Sequence, residues 1–162
     1  MKLYNSSNSP YGRKVRVVAL ELGIQNDINL VDTNPRDPKT GLWELNPLAK
    51  IPALELDDGR MIYDSPVICE YLSLECGQGR LLENTGRDPW DVRVVAALAD
   101  GAIDAGMLVR LEKMRPESEQ SETDKAKQLA TAGRAVDRLQ DLLADRDDNA
   151  DLGTIGAGCC IA

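Results

Sequence analysis

Hydrophobic and polar positions along the first 76 residues switch between the two periods that mark strands and helices. Residues 2–5 form a short strand candidate, and Val15, Val18, Ala19 and Leu22 then recur at i, i+3, i+4 and i+7, the spacing of one helical face. This predicts a helix over 10–22. It stops at Gly23, where glycine enters the left-handed region without a Cβ penalty and Ile24 is placed to close a Schellman contact. Residues 27–32 alternate as a second strand, and 38–45 predict a short, irregular helix ending before Asn46-Pro47. Residues 51–56 and 61–63 flank Asp57-Asp58-Gly59-Arg60, the arrangement of a hairpin. Asp64-Ser65-Pro66 then supplies cap residues and a proline at the first helical position for a helix carrying Val67, Ile68, Tyr71 and Leu72. The predicted order is βαβαββα.

The periodicity lapses over 77–87, among Gly77, Gly79 and Gly86, which predicts a linker. Residues 88–162 read as helix. Val92, Val95, Ala96, Ala99 and Ile103 form a stripe that continues through Met107, Leu108 and Leu111 to a stop at Pro116. After a polar stretch over 118–123, Leu129, Ala132, Val136, Leu139, Leu142 and Leu143 form the apolar face of a second helix. The run from Gly153 to Ala162 grows increasingly apolar and ends mid-stripe, which predicts an exposed apolar face and a chain cut from something longer.

Composition narrows the chemistry. The 162 residues are 43% apolar and 28% charged, ordinary for a globular chain able to bury a core. They contain no histidine, which removes Ser-His-Asp and Cys-His catalysis and every zinc site that needs an imidazole. The four cysteines, at 69, 76, 159 and 160, form no CxxC and read as reduced, buried thiols. A net charge of −8 argues against a nucleic-acid partner. No apolar run approaches the ~20 residues that span a bilayer, so no membrane partner is expected. The N-terminus has no apolar segment of signal-peptide length, and a cytoplasmic location is expected.

Three short motifs carry candidate chemistry. In Ser9-Pro10-Tyr11-Gly12, Ser9 becomes the N-cap of a helix whose first proline lacks only an N–H that would be unpaired anyway. That corner either simply caps the helix or stabilises an anion, including a thiolate brought by a small molecule. Ile51-Pro52 places a proline just before a strand, with either a trans or a cis bond open to it. Asp64-Ser65 is either another cap or a holder for an amino-acid head group, the amides taking a carboxylate and Asp64 an ammonium.

At this order and spacing the motifs resemble those of the soluble glutathione S-transferase family in a bacterial form. The resemblance runs through 1–4, 9–16, 46–54 and 57–72, with Ala97 to Gly101 and Arg110 to Glu117 similar to the family's first long helix and its exit. It implies an α/β thioredoxin-like glutathione-binding domain over 1–76, a linker over 77–87 and an all-helical domain over 88–162, incomplete at its end, in a homodimer. It implies that Pro52 is cis, that the backbone of Ile51 pairs with the cysteinyl part of glutathione, that Asp64 and Ser65 hold the γ-glutamyl group and that Lys50 lies near the glycyl end. Ser9 takes the position of the thiol-activating residue, and with Gly12 in place of a second sulfur, dithiol exchange is chemically unavailable. Asp100 or Asp104 would reach the γ-glutamyl site across the subunit interface, and Tyr11, Met107 and Arg110 are candidates for the electrophile pocket. The family's core helix begins with a Ser/Thr-x-x-Asp box, whereas here Thr154 is followed three residues later by Ala157, predicting a weaker start. The implied activity is metal-free conjugation of glutathione, as co-substrate with no further cofactor, to an electrophilic small molecule. The alternative is a non-catalytic glutathione-binding or structural dimer module of the same fold.

Overall fold

The structure, a computed structural model, describes residues 1–161. Strand β1 (Lys2–Asn5) leads into helix α1 (Pro10–Leu22), and β2 (Asn29–Asp32) follows it, parallel to β1. Helix α2 (Leu42–Leu45), strands β3 (Ala53–Glu55) and β4 (Met61–Ile62) and helix α3 (Ser65–Tyr71) complete the βαβαββα unit. The sheet order is β2-β1-β3-β4, with β3 antiparallel to both neighbours.

Local rules explain why α1 forms where it does. Ser9 Oγ accepts from the Gly12 N–H at 3.1 Å, Pro10 opens the first turn, and Gly23 adopts φ 75° while the Ile24 N–H donates to the Ala19 carbonyl at 3.0 Å. Two strands are shorter than their patterns. Residues 25–27 wind into a 3-10 turn, so β2 starts at Asn29, and β3 starts only after Pro52, which has no N–H to give a ladder.

The second unit holds α4 (Pro89–Lys113), α5 (Glu122–Leu143) and α6 (Leu152–Ile161). Three expectations for it are corrected. The core face of α4 runs through Val92, Val95, Ala99, Ala102, Ile103 and Val109, leaving Leu108 and Leu111 outside the core. On α5 the buried pair is Ala135 and Leu139, while Leu129 and Val136 are exposed.

The third correction concerns α6. The apolar run is not an exposed face, because Leu152, Ile155, Ala157 and Cys159 are buried and the helix packs on both α1 and α4. A helix apolar on all sides belongs inside. Its glycines permit that contact: a Cβ on Gly153 would stand 2.9 Å from the Val92 carbonyl oxygen. Nor is its start weak. Asp151 is the acidic partner, one turn earlier than the pattern was sought: its carboxylate accepts from the Thr154 N–H at 2.7 Å, and the Thr154 hydroxyl accepts from the Asp151 N–H at 2.8 Å. The box is present with acid and hydroxyl exchanged.

The segment between the two units is anchored rather than loose. Leu81 and Leu82 are buried, and the Leu81 N–H donates to the buried Ser73 hydroxyl at 3.2 Å. One apolar cluster joins Leu3, Val15, Leu54 and Ile68 of the first unit to Leu82, Val92 and Ile155 beyond it. No helix of the described residues is long and apolar enough to cross a membrane.

Candidate functional site

Sheet register brings the three motifs together. Tyr4 pairs with Ala53 and Leu54 with Ile62, so the exit of β1 toward Ser9, the entry to β3 at Pro52 and the exit of β4 toward Asp64 share one end of the sheet. β2, parallel to β1, sends residues 33–41 to the same end.

At the first corner, the Ser9 hydroxyl accepts from Gly12, which leaves its own hydrogen free to donate outward. Gly12 is required there, because a Cβ would collide with the buried Asn5 side chain. At the second, the Ile51–Pro52 bond is cis, and neither the N–H nor the carbonyl of Ile51 has a hydrogen-bond partner among the described residues. The preceding loop is held by buried Asn46, whose Nδ2 donates to the Lys50 carbonyl at 2.8 Å while its Oδ1 accepts from the Leu48 N–H at 3.0 Å. Lys50 itself is exposed. At the third, Asp64 Oδ1 accepts from the Ser65 N–H at 2.5 Å, and the Ser65 hydroxyl is buried without a hydrogen-bond partner among the described residues. A buried hydroxyl left unpaired costs about 1–3 kcal/mol, so Ser65 suits a ligand that supplies the missing partner.

Helix α4 forms the facing wall. Lys14 Nζ meets Asp100 Oδ1 at 2.5 Å, and the Tyr11 hydroxyl donates to Asp104 Oδ1 at 2.5 Å, so both acids lie against α1 of their own chain. Burial raises the Asp100 carboxyl above its ordinary value although Lys14 pulls it down. Burial first, then the bond to Asp104, pushes the Tyr11 phenol well above the usual range, so it stays protonated. Further along α4, the Met114 sulfur lies 3.5 Å from Arg36, on the loop after β2. Asp100, Asp104, Met107, Leu111 and Met114 thus form one stripe facing the first unit, by the 3.6-residue repeat. Met107 is half-buried on that stripe; exposed Arg110 falls roughly 80° away by the same repeat.

A cleft of about 460 Å³ lies between α3 and α4, lined by Pro66, Glu70, Ala97, Gly101 and both acids. It adjoins Ser65 through Pro66 and does not include Ser9 or Ile51. The cysteines offer no activated nucleophile. Burial pushes the Cys69 thiol up to about 12 and raises Cys76, Cys159 and Cys160 as well.

Sequence reading missed Asn46, Lys14, Arg36 and Leu111 as parts of this site. Asn46, set between Leu45 and Pro47, carried a usable loop signal. Lys14 carried no local signal, because its partner is 86 positions away.

A thioredoxin-like sheet with a cis proline at its ligand-binding end, continued by a helical unit, is the architecture of the soluble glutathione transferases. Residues 8–74 match the family model described as glutathione S-transferase, N-terminal domain. The uncharacterised GST-like protein YibF of Escherichia coli is 34% identical over 99% of this chain and 80% of its own length. A glutathione S-transferase from Methylobacillus flagellatus, solved with glutathione bound, superposes with a TM-score of 0.90 at 38% identity, over 99% of this chain and 80% of its own. One from Methylobacterium radiotolerans, in complex with glutathione sulfonate, gives 0.90 at 32%, over 99% and 76%. The chain belongs to the glutathione S-transferase family.

Proposed function

We propose that this protein conjugates glutathione to electrophilic small molecules. The observation that carries the reading is Ser9: its hydroxyl caps α1 as an acceptor, keeps a hydrogen to donate, and sits at the positive end of a 13-residue helix. A glutathione thiol held there loses its proton to solvent. The thiolate, stabilised by the Ser9 O–H and the helix end, attacks the electrophilic carbon, and a C–S bond forms as the leaving group departs or the double bond takes up a proton. The unpaired backbone of Ile51 receives the extended peptide, Lys50 lies toward the glycyl carboxylate, and Ser65 and Asp64 take the γ-glutamyl group. The glutathione bound by one similar bacterial protein and the glutathione sulfonate bound by the other support a glutathione-binding site in this fold.

One titration series tests it. Glutathione is expected to bind, with Ser65→Ala weakening it by about 1–3 kcal/mol, the cost of an unpaired buried partner. Ser9→Ala is expected to lower turnover of a chromogenic aryl halide more than it lowers glutathione affinity, compared at equal folded fraction because the cap alone contributes about 0.5–2 kcal/mol. Binding without turnover in the unmodified protein would favour the non-catalytic module; no binding would end the assignment.

A homodimer belongs to the same reading. Trp90, Val94, Ala97, Gly101 and Leu108 fall on one exposed edge of α4 at spacings of four and three, with Asp104 among them, and no element of the described residues covers them. Small residues at 97 and 101 let a second α4 approach closely. Sedimentation is expected to show a dimer that dissociates on dilution; a monomer at all concentrations would overturn it.

A further inference from the structure

We propose that the Tyr11–Asp104 hydrogen bond is a positioning contact, which locks the first turn of α1, and with it Ser9, against α4. This rests on the Ser9 corner being the glutathione site. Two polar rungs join these helices. The inner one, Lys14–Asp100, is closed off from water, with side chains 4% and 17% exposed. The outer one is at the rim, between a half-buried Tyr11 and an exposed Asp104.

Tyr11 lies between Ser9 and the two amides that Ser9 holds, since Gly12 N–H donates to the Ser9 hydroxyl at 3.1 Å and Arg13 N–H to its carbonyl at 2.9 Å. A tether on Tyr11 therefore acts on the cap itself. Beyond this rung, the next hydrogen-bonded tie between α4 and the first unit among the described residues is the exposed Arg36–Met114 contact, ten positions or about 15 Å along the helix. Met107 and Leu111 lie on the intervening stripe, each without a polar partner. The tether sets the separation between the thiol and this apolar wall. Because the phenol hydrogen is engaged by Asp104, the half-buried Tyr11 ring adds apolar surface beside this wall. The substituent that fits along the wall is an apolar one.

The test compares unmodified protein, Tyr11→Phe, Asp104→Ala and Asp104→Asn, using glutathione and S-hexylglutathione in calorimetric titrations. Tyr11→Phe and Asp104→Ala are expected to leave glutathione affinity within about twofold and to reduce the preference for the S-hexyl form about tenfold, a coupling of ordinary size for neighbouring groups. Combining them adds nothing further, and Asp104→Asn, which still accepts from the phenol, restores the preference. An unchanged preference in both variants, with only thermal stability lowered, would show a merely structural contact and overturn the proposal. A second readout needs no ligand. Amide exchange at Gly12 and Arg13 is expected to quicken about fivefold or more in both variants, with α5 unaffected. Exchange as slow as in the unmodified protein overturns the proposal whether or not glutathione binds, whereas failure of the unmodified protein to bind glutathione counts against the glutathione reading alone.

Discussion

Asp151→Ala is expected to destabilise the protein by about 3–5 kcal/mol, the cost of removing one partner from a buried ionic cluster. Asp151 is fully buried, and one carboxylate oxygen meets Arg146 at 2.8 Å and Arg87 at 3.2 Å. Its other oxygen caps α6 through the Thr154 N–H. The alanine variant leaves two guanidinium groups, each less than a fifth exposed, without this partner, and frees the start of the helix that fills the core. Against a total stability of about 5–15 kcal/mol, such a loss is a large fraction. Asp151→Asn separates the causes, because asparagine caps almost as well as aspartate and carries no charge. Urea midpoints are expected to fall in the order unmodified, Asn, Ala. An alanine variant within about 1 kcal/mol of the unmodified protein would show that the cluster does not secure α6.

Lys14→Met is expected to have a comparable effect, about 3–5 kcal/mol at neutral pH, with a distinctive pH dependence. Lys14 and Asp100 tie the two units together from nearly buried positions. The Asp100 carboxyl is raised in the folded protein, so the folded state holds its proton longer than the unfolded chain does. Its contribution is therefore full below the ordinary carboxylate value and is lost as pH rises through the raised one. Removing Lys14 removes the group that pulls this carboxyl down, and the loss on raising pH becomes steeper. The deficit of the variant is expected to be small near pH ~4 and largest above neutrality, measured by urea unfolding across that range. A deficit of equal size at both ends would show that the pair carries no charge coupling. Replacing both residues, Lys14→Met with Asp100→Leu, is expected to recover most of the loss, since apolar groups of similar volume need no partner.

Some of this was legible in the chain itself. The start and stop of α1, the turn around Gly59 and the cap at Asp64 rest on interactions reaching no more than five residues, and each lies where the pattern predicts. The cis form of Pro52 was open on the residues alone and was implied by the family resemblance; the structure has it. The polarity of α6 was misread differently. The pattern points to a cap forward of Thr154, whereas the acid lies behind it, and the apolar run that the sequence leaves as a face awaiting cover is itself the cover for α1 and α4.

What the sequence determined by itself is therefore the set of elements, the family and the three motifs that meet at one end of the sheet, because caps, turns and helical periods are encoded in neighbouring residues. Tertiary structure decided which charges are buried, which side of α4 faces the cleft and which buried hydroxyl lacks a partner. Lys14 and Asp100 are 86 positions apart, and Tyr11 and Asp104 are 93. No local period links them. Each pair exists because two helices pack against a shared core, and the free energy of a charge or a hydroxyl depends on what that packing places within a few ångströms of it.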